Sequence, residues 1–424
     1  MKKLIGFLST CVLCAGVSAE NYAIVGATVH TMGEQGTVKD ATVLIKDGKI
    51  QRVMAGKSAL SGYQVIDAKG KVVTPGFIGA QTSLGLVDVG FSAGTVDRNA
   101  KVTGISSTGA AMDISYAINP DSSLIAISRI EGITSAATSI NRNGQLFNGQ
   151  GALITLAESG DPLLKSPAFV STNVSNRGVD NVGGSRGVLW VTLEQAINEA
   201  EFALGKNLTP MQEWHGQLSK ADVKALLPVI GGDIPLLIEA RRAADIRQVI
   251  AFKKRHPKLD IVVVHATEAW RVAKELAAND IPVILDPESN LPYAFDQLAA
   301  TLENAGRLDK AGVNVSIGIE THNIRLAKQH AGNAVANGLP WERGLAALTI
   351  NPAKVYGLDK QLGSLEQGKQ ADLVIWSGDP LEVTQTAEQV FIKGDLIDMQ
   401  SRQTKLRDRY LKLQRDKPMQ YVRP

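Results

Sequence analysis

Three ionisable residues stand where an apolar strand would not otherwise put them. Glu239 closes Pro235-Leu236-Leu237-Ile238, His265 closes Ile261-Val262-Val263-Val264, and Glu320 follows Val313-Asn314-Val315-Ser316-Ile317-Gly318-Ile319. A carboxylate at the end of a buried strand destabilises the fold unless something answers its charge. Two carboxylates and an imidazole can together supply three ligands, the minimum for a catalytic metal site with an open position. Quieter readings stand beside this one. Glu239 has Arg241 and Arg242 at hand for an ion pair, a lone strand-end His is more commonly a hydrogen-bonded core residue, and Glu320 can cap the helix that follows. Alternation puts Ser316, Gly318 and Glu320 on one face, and small residues below a carboxylate leave room for something to bind. His322, two residues on, is the best further pocket candidate. His30, His215, His256 and His330 point less clearly, to the N-terminal β segment, a loop beside Trp214, a helix end and a helix surface.

Other chemistries lack support. No Walker pattern and no strand-bound GxGxxG occurs, and no Gly-x-Ser-x-Gly elbow marks a serine nucleophile. Met1-Lys2-Lys3, the apolar stretch Leu4 to Val17, and Val17-Ser18-Ala19 before Glu20 form a secretory leader, so residues 1–19 are predicted to be removed after Ala19 and the protein to be periplasmic. The only cysteines, Cys11 and Cys14, lie in that leader, so a metal in the mature chain must be held by nitrogen and oxygen. Loss of Lys2 and Lys3 lowers the formal net charge of +3 by two, which leaves no basic excess suited to nucleic acid. No later apolar run is long enough to span a membrane.

The elements that must position these residues alternate. Pro235 to Glu239 precedes a helical stretch from Ala243 to Arg255, Ile261 to His265 precedes another from Glu268 to Ala278, and Pro282 to Asp286 precedes a third near Ala294 to Ala305. Apolar strands with helical crossovers imply a parallel sheet covered by helices. Eight such units fit between Val72 and Asn351, which favours a closed barrel with function at the C-terminal strand ends. Asn141 to Gly151 and Asn176 to Gly187, rich in Gly and Asn, read as loops. Residues 20–75 are short strands, with Lys46-Asp47-Gly48-Lys49 as a hairpin turn, and β segments return at Ala371 to Trp376 and Gln389 to Gly394. The predicted fold is therefore α/β: a TIM-type (β/α)8 barrel over 76–355 with a small composite β-sandwich from 20–75 and 356–400, and a charged tail over 401–424.

These segments resemble the amidohydrolase superfamily, in its imidazolonepropionase-like branch. The resemblance covers essentially the whole mature length. It is carried by Val72-Val73-Thr74-Pro75-Gly76-Phe77-Ile78, by Ala331 to Leu339, by Leu348-Thr349-Ile350-Asn351-Pro352-Ala353-Lys354, and by Gly363 to Trp376. It implies metal ligands at the first strand end, where the family has His-x-His and this chain has Gln81 and Ser83. The fifth-strand ligand falls on Glu239, the sixth is retained as His265, and the eighth-strand Asp, a ligand and base, falls on Glu320. Gln81, Ser83 and His322 are then substrate-contacting candidates. Two carboxylates and one imidazole suit manganese or weakly held zinc.

Two functions follow. The first is a metal-dependent hydrolase of an amide or cyclic amide C–N bond in a small molecule, with Glu320 as base. The second is a catalytically inactive homologue that binds a ligand or serves as a partner subunit. Association with itself or with a related amidohydrolase is compatible with either.

Overall fold

The computed structural model describes residues 20–56, 60–88, 96–100, 105–209, 211–289, 291–318 and 324–411. The leader assigned to residues 1–19, Glu320, His322 and the end of the tail lie outside them.

Five strands open the described chain: β1 (Tyr22–His30), β2 (Thr37–Lys46), β3 (Lys49–Ala55), β4 (Gln64–Asp67) and β5 (Val72–Pro75). Eight follow in the middle: β6 (Phe77–Thr82), β7 (Ile133–Thr138), β8 (Phe147–Thr155), β9 (Leu163–Asn173), β10 (Leu236–Ala240), β11 (Ile261–His265), β12 (Val283–Leu285) and β13 (Val315–Ile317). Three return: β14 (Leu373–Trp376), β15 (Ala387–Ile392) and β16 (Asp395–Leu396).

Both ends of the chain build one sheet in the order β16-β15-β14-β5-β1-β2-β3, with β4 also on β1. Its strands are hydrogen-bonded in one continuous path around their own apolar cluster. The β2–β3 turn has positive φ at Asp47 (51°) and Gly48 (74°), the geometry an Asp-Gly hairpin requires. Leu373 of β14 pairs with Pro75 of β5, so the last third of the chain completes a sheet begun at the start. Trp376 ties that sheet to the barrel: its indole stacks on Phe77 at 5.0 Å and donates to Thr74 Oγ1 at 2.9 Å.

The middle strands run in the order β6 to β13 and close on themselves, with Gln81 N–H donating to the Gly318 carbonyl at 2.9 Å. Gly318 has φ +114°, and a Cβ there would come within 3.2 Å of the Ala80 nitrogen, so the seam favours glycine. The barrel is not wholly parallel. β8 runs antiparallel to both β7 and β9. Residues 156–162 are too few for a parallel crossover, which needs about a dozen. Part of the expected loop from Asn141 to Gly151 is therefore strand. The Asn176 to Gly187 stretch likewise contains a short helix, Asn176–Asn181, and the start of the helix Arg186–Ala203. The helix expected near Ala294 to Ala305 is instead a 3-10 turn, Phe295–Gln297, and a helix, Asn304–Lys310. Its apolar residues form no buried stripe: Leu291, Tyr293, Phe295 and Leu298 are all exposed.

Candidate active site at the barrel mouth

The C-terminal ends of β10 and β11 bring Glu239 and His265 together. Leu237 packs in the lumen while Leu236, Ile238 and Ala240 pack outward against the helices, so alternation turns Glu239 into the mouth. On β11 the same rule fails. Val262 and Val264 face the lumen, which would send His265 outward. Instead His265 and Ala266 take left-handed backbone angles, φ 65° and 49°. Such a conformation costs roughly 1–2 kcal/mol for a residue with a side chain. Ala266 N–H, donating to the Ala240 carbonyl at 3.0 Å, holds the turn. The imidazole is thereby brought over β10, with His265 Nε2 3.9 Å from Glu239 Oε1.

Both oxygens of Glu239 have donors. Asn173, the last residue of β9, donates from Nδ2 to Oε2 at 2.7 Å. Arg241 donates from Nε to Oε1 at 3.0 Å, and a second guanidinium nitrogen lies 2.9 Å from the same oxygen. Burial opposes ionisation of this carboxyl, but His265, Arg241 and Arg177 outweigh it and hold its pKa below the usual carboxylate range. Asn173 is itself fixed, since its Oδ1 accepts from Ser175 N–H at 2.8 Å and Ser175 Oγ at 2.7 Å.

Gln81 lies within, and Ser83 just after, a register shift in β6 between Gly79 and Thr82. A Cβ on Gly79 would meet Thr82 Cγ2, Ile324 and Ala136, which puts the Thr82 side chain on the helix side and its two neighbours on the lumen side. Ser83 is fully buried, and neither its Oγ nor Gln81 Oε1 has a hydrogen-bond partner among the described residues. Glu320 and His322 have no described position. The structure thus juxtaposes two of the three expected ligands, and among the described residues no group of three or more His, Asp or Glu is arranged to hold a metal ion. The ion-pair alternative for Glu239 is realised with Arg241, while Arg242 pairs with Asp245 at 2.8 Å.

The other described histidines sit elsewhere. His256 is buried between Glu194 (2.8 Å) and Glu201 (3.0 Å), His30 lies against Trp341, His330 is 3.7 Å from Glu288, and His215 is exposed. Asn173 carries no signal in the sequence, because it follows Ser171 and Thr172 and so does not stand out at the end of an apolar run as Glu239 does.

Two bonds of about 2.0–2.2 Å meeting at a tetrahedral angle place an imidazole nitrogen and a carboxylate oxygen about 3.3–3.6 Å apart. The observed 3.9 Å is a few tenths of an ångström longer, so a small side-chain adjustment brings the pair to a shared ion. Such an ion would compete with Arg241 for Oε1.

A family model described as the amidohydrolase family matches residues 243–397, the stretch from the helix after Glu239 into the returning sheet. Residues 243–397 therefore carry an amidohydrolase-family domain. It is 26% identical over 390 residues to a dihydroorotase of Pelotomaculum thermopropionicum, a match covering 81% of this chain and 86% of that protein. It is 42% identical over 57 residues to amidohydrolase tasK of Hapsidospora irregularis, but that match covers only 13% of this chain and 6% of that protein. In fold it resembles an amidohydrolase from Thermotoga maritima MSB8, with a TM-score of 0.78 and 24% identity over 89% of this chain and 99% of the other. Amidohydrolases generally use a divalent metal.

Proposed function

We propose that this chain is an amidohydrolase that cleaves a carbon–nitrogen bond, in an amide or cyclic amide, at the C-terminal mouth of its barrel. The proposed cofactor is zinc or manganese, held by Glu239, His265 and Glu320. The observation that carries the reading is the Glu239–His265 pair, 3.9 Å apart at adjacent strand ends and formed only because His265 adopts a left-handed backbone. When bound, a divalent ion would lower the pKa of a water molecule to about 7. The side chains have separate tasks. Asn173 holds Glu239 Oε2, leaving Oε1 as the oxygen turned toward His265. Gln81 Oε1 and Ser83 Oγ, which lack partners among the described residues, would take up polar groups of a small substrate. Glu320, two residues beyond Gly318 in the sequence, would accept and return the proton. The proposed setting is the periplasm, after loss of residues 1–19, with the chain acting alone, as a homo-oligomer or beside a related amidohydrolase.

The experiment is a turnover screen of N-acyl amino acids, dipeptides and cyclic amides with zinc- or manganese-loaded protein. Cleavage of one class by the wild type, lost in Glu320→Gln with metal retained, supports the proposal. Absence of cleavage across the panel favours a second reading, a homologue that binds a ligand or partner without turnover. One observation favours that second reading: Arg241 already gives Glu239 the positive neighbour that a metal would otherwise provide.

A further inference from the structure

Buried hydroxyls without hydrogen-bond partners are rare in native proteins, yet they gather in one part of this barrel. Ser135 Oγ on β7, Ser171 Oγ on β9 and Ser316 Oγ on β13 have no partner among the described residues, and neither do Ser83 Oγ, Ser139 Oγ and Gln81 Oε1 at the strand ends. None of the five serines is more than 3% exposed.

Alternation puts these groups in the lumen. Ser135 shares a face with Ala137, and Ser171 with Phe169, both of which belong to the lumen cluster. Ser316 lies between Val315 and Ile317, which pack toward the helices. Their strands occupy one continuous arc, β9-β8-β7-β6, closed onto β13. Register sets their heights. Ser135 pairs with Ile78, near the start of β6, whereas Ser139 N–H donates to the Thr82 carbonyl at its end. Gln81 N–H bonds Gly318, two residues past Ser316. Ser171 pairs with Gly149 of β8, three residues nearer the mouth than Ala152, the partner of Thr138. Ser135 and Ser316 therefore form a lower tier, and Gln81, Ser83, Ser139 and Ser171 an upper tier at the mouth. The inward residues Ala80, Ala137 and Gly318 between them are small. At the floor, Tyr356 packs in the lumen cluster and its hydroxyl donates to the Ala80 carbonyl.

We propose that this arc of the lumen binds a file of ordered water molecules, bridging Ser135 and Ser316 below to Gln81, Ser83, Ser139 and Ser171 above. Water can donate to every group in the two tiers and accept from each serine hydroxyl, and buried water typically makes about three such bonds. A metal ion is the poorer fit, because no carboxylate belongs to the set, and an apolar ligand would leave every hydroxyl unpaired. The role of the file rests on the hydrolase reading: it would hydrate the candidate centre from beneath while substrate fills the mouth above. The water site itself does not depend on that reading.

The test uses the full mature chain, as wild type, Ser171→Ala and Ser316→Ala. Crystals diffracting well enough to define solvent should contain lumen waters within hydrogen-bond distance of both tiers, and water relaxation dispersion in solution should detect long-lived molecules. Each alanine variant should lose the density next to its own position and melt at the same or a lower temperature than wild type. The opposite sign overturns the proposal. If the hydroxyls are dry and unpaired, each alanine raises the melting temperature, with no change in lumen density or in the relaxation signal. The wild-type measurement stands alone should a variant fail to fold, because a lumen without ordered water contradicts the proposal directly.

Discussion

Arg241 and Glu239, two residues apart at one strand end, meet through Nε and Oε1 at 3.0 Å, on the oxygen that also faces His265. One carboxylate oxygen thus lies between an arginine and a candidate metal ligand, so the ion pair with Arg241 and ligation of a metal compete for the same atom.

Arg241→Met should release that oxygen. A hydrogen bond to a charged group contributes about 1.5–3 kcal/mol, and about 1.4 kcal/mol is a tenfold change in affinity. Zinc affinity, measured by competition with a chromophoric chelator, should rise about tenfold or more. An unchanged affinity means that Arg241 and the ion do not compete.

Asn173→Ala should destabilise the fold by about 1–3 kcal/mol in urea melts, because Glu239 loses its Oε2 donor and Ser175 loses an acceptor inside the structure. The pH dependence has a definite sign. The Glu239 carboxyl is held below its ordinary range, so its contribution is present above the unfolded-state pKa and is lost as pH falls through the folded value. Removing Asn173 should raise the folded value and move that loss to higher pH.

Much of this arrangement is legible in the sequence and some is not. Glu239 and His265 announce themselves because charge at the end of an apolar strand is costly, and the sheet from both termini follows from short β segments on either side of a long middle. His265 reaching Glu239 is another matter. Alternation turns His265 outward, and only the left-handed step at 265–266 corrects it, a backbone choice that neither His nor Ala signals. β8 was hidden for a different reason. Its Gly149 and Gly151 read as loop, whereas Gly151 lies against Phe169, where a side chain would collide with the ring. The serine tiers are single small residues within apolar runs, and their lack of partners emerges only when the barrel closes.

Asp372→Asn should stabilise the protein at neutral pH. Burial pushes this carboxyl from 3.8 up to about 6, against the hydrogen bonds it accepts from Lys393 N–H and Gln370. The folded state therefore holds the proton more tightly than the unfolded chain, and stability falls as pH rises from about 3.8 through about 6. The neutral amide removes this loss, so it should gain roughly 1–3 kcal/mol at neutral pH and nothing below the unfolded value. Thermal melts across that window check the sign, and an equal change at every pH would mean that Asp372 is not the titrating group.

The most direct test of the metal-centre proposal is the metal content of the mature protein, measured by elemental mass spectrometry after exposure to zinc or manganese and removal of free ion, for the wild type and for His265→Ala. The account predicts stoichiometric metal and a raised melting temperature in the wild type, with both lost in a variant that remains folded. A wild type that takes up neither metal and gains no thermal stability from either would contradict it, leaving Glu239 as the ionic partner of Arg241.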